Sequence, residues 1–144
     1  VTGVQTCALP IFPDKLSVLR ECHRVLKPGG RMIVASIEMA SGLTEVERLR
    51  ALELGPADVG GEASLRGLLE RAGFEIDEER DVTSDFRHAL ERRLRALRQH
   101  EAALRRFEGD EQVDAERDKR SRMLIGVEEG ILCRTILLGR SSAP

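Results

Sequence analysis

The sequence contains no tryptophan and no tyrosine, and aromatic residues make up only 3% of its 144 positions. A surface that grips nucleic acid by stacking bases therefore lacks its usual platforms. Cysteine is equally sparse. Cys7, Cys22 and Cys133 are too few and too scattered for a disulfide framework or a zinc site, and no metal is expected. No apolar run approaches the roughly 18 residues needed to span a bilayer. No basic start followed by an apolar middle marks a secretory signal, so a cytoplasmic setting is the default. Charge of one sign is missing too: 23 Lys and Arg face 25 Asp and Glu, a net charge of -2. That balance argues against a chain whose main partner is a nucleic-acid backbone or an anionic membrane.

What is present is the composition of one globular domain, 41% hydrophobic and 33% charged. From Asp14 the apolar residues Leu16, Leu19, Cys22, His23 and Leu26 recur at helical spacing, with Asp14 as cap. Lys27-Pro28-Gly29-Gly30 stops that helix, because proline cannot continue it and the glycines allow positive φ. Arg31 to Ile37 is apolar at odd and even positions alike, which predicts a strand buried on both faces. A short helix is expected over 45–54, ended by Gly55-Pro56. After Gly60-Gly61 another carries Leu65, Leu68, Leu69 and Ala72 and stops at Gly73. Phe74, Ile76, Arg80 and Val82 alternate with Glu75, Asp77, Glu79 and Asp81, predicting a strand with one wet face. Thr83-Ser84-Asp85 opens a long helix with Phe86, Leu90, Leu94, Leu97, Leu104 and Phe107 on its stripe. Gly109 breaks it, a second helix runs to Glu129, and residues 131–138 form a last strand.

Residues 1–11 fit neither period. The string is similar to one reading frame of a widely used short-read sequencing adapter, with Phe12 at the junction. It is therefore set aside from the fold, Cys7 carries no meaning, and the natural polypeptide is expected to begin upstream.

Phe12-Pro13-Asp14-Lys15, followed by Leu19 through Arg31 with its Arg24-Val25-Leu26-Lys27-Pro28-Gly29-Gly30 turn, resembles the late motif of class I S-adenosylmethionine-dependent methyltransferases. Leu68 to Phe74 is similar to the family's next helix and turn. The resemblance implies an α/β fold: the C-terminal part of a Rossmann-like seven-stranded sheet, holding strands five to seven. The last strand would run antiparallel between the other two. A helical lid insertion would span about 84–130. It implies methyl transfer from S-adenosylmethionine by the intact parent. No Gly-x-Gly-x-Gly occurs, and Gly29-Gly30 and Gly60-Gly61 read as turn glycines, so this chain is not expected to hold the cofactor or act alone.

Ligands in open α/β sheets bind beyond the carboxyl ends of the strands. That rule makes Glu38, Thr83, Phe86, His88 and Glu128 the substrate-pocket candidates, for a small-molecule methyl acceptor enclosed by the lid. Each has a plainer reading. Glu38 is a solvated strand end, Thr83 and Asp85 are helix caps, and Phe86 is core. His88 is a surface residue rather than a base, and Glu128-Glu129 is an ordinary helix end, although acidic residues there oppose the dipole, which mildly favours a specific role. Cys22 and His23 read as packing. Twenty arginines against three lysines, crowded between Arg87 and Arg106, leave an alternative: a helical hairpin that binds a protein or RNA. Interleaved glutamates favour a solvated face. Without its upstream neighbour, the strand at 31–37 is expected to be a bare apolar edge that promotes self-association.

Overall fold

The computed structural model describes residues 3–6, 14–57, 59–61 and 63–142; Cys7, Phe12 and Pro13 lie outside them. The elements in order are β1 (Gly3–Thr6), α1 (Lys15–Val25), β2 (Arg31–Met39), α2 (Glu45–Leu54), α3 (Leu65–Arg71), β3 (Phe74–Asp81), α4 (Thr83–Gln99), α5 (Glu101–Glu108), α6 (Asp110–Glu128) and β4 (Leu132–Ser141). The chain forms two compact units. One contains Val1–Glu38, Ala57–Val82 and Arg134–Pro144; the other contains Met39–Pro56 and Thr83–Cys133.

The first unit is built on a sheet of order β1-β2-β4-β3. β4 lies between β2 and β3 and runs antiparallel to β3. It is antiparallel to β2 as well, since Gly30 bonds with Ser141 at one end and Ala40 with Ile131 at the other. β1 runs parallel to β2, with Gly3 opposite Arg31 and Thr6 opposite Val34. Two expectations change here. Part of the segment set aside from the fold forms a strand, and the edge at Arg31–Val34 is not bare. The ladder joins backbone groups, so an unpatterned segment can occupy an open edge.

Helices α1 and α3 pack on one face of this sheet. The Asp14 carboxylate accepts from the Ser17 N–H at 3.0 Å and so caps α1. Leu19, Leu26, Met32, Val34, Leu65, Leu69, Ala72, Phe74 and Leu137 form the core. β2 departs from its expected double burial: Met32 and Val34 are fully buried, but Ile33 is 44% exposed. β3 departs from strict alternation. A bulge between Ile76 and Glu78 inserts one residue, and an odd insertion swaps the faces that follow. Phe74 and Ile76 therefore face the core, while Arg80 and Val82 turn to the opposite face with Ile136 and Leu138. On the core side Glu79 meets Arg66 of α3.

The second unit is helical. α2, α4 and α5 each pack against α6. A capping box starts α2, with Thr44 and Glu47 exchanging bonds. Phe86, Leu90, Leu94 and Leu97 are buried along α4, as their spacing predicted. The long helix nevertheless ends at Gln99, and α5 contains no buried residue. Leu104 is half-buried, and Phe107, expected on the apolar stripe, is 89% exposed. The continuous stripe fails because α5 turns at His100, whose backbone leaves the helical range.

Candidate functional site

Each residue singled out in the sequence has a definite local setting. Glu38 stands near the carboxyl end of β2, half-buried. Its Oε1 accepts from the Leu65 N–H at 2.8 Å. Leu65 opens α3, whose third N–H, on Gly67, bonds the Ser64 hydroxyl at 3.2 Å. Glu38 and Ser64 together satisfy two of the free donors at the helix start, and a carboxylate there is favoured by the helix dipole. The solvated-loop reading of Glu38 is thereby corrected: the side chain ties a strand end to a helix start.

Thr83, Phe86, His88 and Glu128 belong to the second unit. Thr83 is the first residue of α4. Phe86 is turned into its unit's interior, with 6% exposure, whereas His88 lies on the outside. Two positions apart on a helix are nearly opposite, so these two side chains line no common surface. The His88 ring nitrogen Nε2 lies 3.5 Å from an Arg87 Nη2. Glu128 is exposed at the end of α6. Its neighbour Glu129 explains the acidic helix end. Arg50 of α2 donates twice to that carboxylate, at 2.7 Å each. The hydrogen bonds and charge of Arg50 hold the Glu129 carboxyl below its ordinary range. The two partners stand 79 positions apart in sequence, beyond any local pattern. The Thr44–Glu47 box, by contrast, carries a readable Thr-x-x-Glu signal.

Cys22 and His23 do what packing residues do. Burial pushes the Cys22 thiol up and Glu21 adds to it, which suppresses the reactive thiolate. The His23 ring stands edge-on to Phe74, with centroids 5.1 Å apart and planes at 88°. Opposite the core, Ile33, Val82, Ile136 and Leu138 line a shallow groove of about 240 Å³, with Glu78 and Arg80 beside them. No cluster of three metal-binding side chains occurs among the described residues. None of the described helices is long and apolar enough to cross a membrane.

The densest polar structure is an ion network around Arg105. It bonds Glu101 and Asp114 at 2.7 Å and Asp110 at 3.0 Å, and Arg117 also reaches Asp114 at 2.7 Å. These bonds hold the Asp114 carboxyl below its usual 3.8. A depressed folded-state value stabilises above the unfolded value and is lost as pH falls through the folded one. The thermal midpoint should therefore stay level down to about pH 5 and fall below about pH 4. Asp114→Asn should lower the midpoint at pH 7 and flatten that acid limb. Parallel melting curves at all pH values would contradict the assignment.

No protein-family model matches this sequence, and no curated protein is similar to it. Solved structures are similar in fold. One is a candidate sarcosine dimethylglycine methyltransferase from Galdieria sulphuraria, at TM-score 0.81 and 23% identity over 97% of this chain. Another is a phosphoethanolamine N-methyltransferase from Haemonchus contortus in complex with S-adenosylhomocysteine, at TM-score 0.77 and 14% identity over 99%. A third is the cyclase SpnF, at 0.72 and 21% over 99%. The fold is a methyltransferase-like α/β fold. The chain spans 52%, 33% and 50% of those three proteins' own lengths. A cyclase among them shows that this fold hosts more than one chemistry.

Proposed function

We propose that this chain is the C-terminal part of a longer class I enzyme that transfers a methyl group from S-adenosylmethionine to a small-molecule acceptor. The observation that carries the reading is the unit α1–Lys27-Pro28-Gly29-Gly30–β2. A capped helix, a glycine turn and a strand of that motif stand in a fold shared with methyltransferases. On this reading β2, β3 and β4 are the fifth, sixth and seventh strands of a seven-stranded sheet. The segment α4 to α6 is the lid that shields an acceptor and excludes water. The acceptor would approach the carboxyl ends of β2 and β3, at Ser36 to Glu38 and Val82-Thr83.

The residues described here do not fit the methyl donor as a complete site. The motif glycines are used by the turn itself: Gly29 has φ +72°, and a Cβ on Gly30 would lie 2.8 Å from the Lys27 carbonyl oxygen. Glu38, the strand-end carboxylate, already holds the Leu65 N–H. On this reading the donor cradle belongs to polypeptide outside this chain, and no step through the donor is assigned to these residues. The test is calorimetry with S-adenosylmethionine, on this chain and on the protein with its upstream reading frame restored. Binding by the restored protein alone supports the reading. No binding by the restored protein removes the enzyme assignment, and binding by the 144-residue chain removes the placement of the cradle.

A further inference from the structure

The net charge of -2 hides a separation of charge within the second unit. The carboxylates Glu101, Asp110, Asp114 and Glu116 are held by Arg105, Arg117, Arg120 and Arg93 in the network that joins α4, α5 and α6. Arg92, Arg95, Arg98 and Arg106 are different. All four are exposed, and none has an ion-pair partner among the described residues. The buried stripe of α4 is Phe86, Leu90, Leu94 and Leu97. His88, Arg92, Arg95 and Gln99, at offsets of four, seven and eleven, fall on the opposite side of the helix. Arg98 flanks them, and Arg106 follows on α5. The neighbouring carboxylates are Asp85, Glu91, which lies 4.0 Å from Arg87, and Glu108. They leave the face with an excess of positive charge.

On the same segment stands Phe107, 89% exposed on a helix that buries nothing. The other two described phenylalanines, Phe74 and Phe86, are buried. An apolar side chain in water beside uncompensated arginines is the pattern of a helix that rests in a lipid headgroup layer. A nucleic-acid strand fits less well, because it needs successive stacking platforms and here there is one.

We infer that the outer face of α4 and α5, through Arg92, Arg95, Arg98, Arg106 and Phe107, docks the protein on an anionic lipid surface. The arginines supply attraction to the headgroups, and Phe107 enters the acyl boundary. The inference is independent of the donor site and holds or fails without it. The near-neutral net charge does not oppose this docking, because a surface is attracted by local charge and not by the sum over the chain.

The test is co-sedimentation of the full chain with phosphatidylcholine vesicles, with and without phosphatidylglycerol. Binding is expected only with phosphatidylglycerol and should weaken as salt rises. Each arginine near such a surface contributes about fivefold, so R92Q/R95Q should lower the partition coefficient roughly 25-fold. F107S should weaken binding several-fold, and R92K/R95K should retain it. Circular dichroism of each variant shows that the helices remain. Equal sedimentation with both vesicle types, or wild-type binding by R92Q/R95Q, would overturn the inference. So would salt-sensitive binding to a labelled oligouridylate in the absence of vesicle binding.

Discussion

Leu69→Ala is expected to lower the free energy of unfolding by about 2–5 kcal/mol. Leu69 is fully buried on α3 and belongs to the cluster that joins α1, β2, α3 and β4 through Leu19, Met32, Val34 and Leu137. Its neighbours are fixed on three other elements and can close only part of the space left by the lost carbons. The residual cavity then adds to the lost transfer energy. Leu49→Ala serves as the comparison. Leu49 is 59% exposed on α2, so its removal should change stability by no more than about 0.5 kcal/mol. Urea unfolding followed by circular dichroism reads both. Similar midpoints for the two variants would mean that the first unit is not held by this core.

The second large effect is expected at Gly30. A Cβ there would meet the Lys27 carbonyl oxygen at 2.8 Å and the Leu26 side chain at 3.1 Å. The oxygen is backbone, so relief requires the turn to move. The turn is not free to move, because Gly29 N–H donates to the Ser141 carbonyl at 3.0 Å and Ser141 N–H donates to the Gly30 carbonyl at 2.8 Å. Gly30→Ala should cost about 1–3 kcal/mol by overpacking and should loosen the β2–β4 end, read as faster amide exchange at Ser141. Gly29 makes the opposite test. It has open space around it but φ +72°, so Gly29→Ala should cost about 1–2 kcal/mol from backbone conformation alone, with unchanged exchange at Ser141. Identical exchange in the two variants would contradict this division of roles.

The two glycines look alike in the motif, and by sequence both are expected there for the same reason, positive φ. Only Gly29 has it. The need at Gly30 comes from an oxygen three residues back and a strand more than a hundred residues on, and no local pattern records that. The candidate site shows the same limit. Phe86 was legible as an apolar position on a helical stripe, and it is buried. Phe107 had the same signal and is exposed, because the chain turns at His100 and α5 leaves the stripe. Arg80 and Val82 were placed on the face of Phe74 by parity, and one extra residue at the bulge reversed them.

The sequence by itself determined most of the elements, though not β1 or the break between α4 and α5 at His100. Helix period, caps, glycine stops and β-branched runs act within a few residues, and those are the distances over which α1, α2, α3 and α6 are specified. It also carried the family-like turn at Arg24 to Gly30. Tertiary structure alone decided what each face meets: that Ile33 is left half outside the core while Met32 is sealed, that Arg50 neutralises Glu129, that Glu38 bonds the start of α3, and that Arg92, Arg95, Arg98 and Arg106 have no carboxylate partner among the described residues. The physical reason is range. Backbone preferences are set by adjacent residues, whereas burial and charge pairing are set by whichever groups folding brings within a few ångströms, however far apart they stand along the chain.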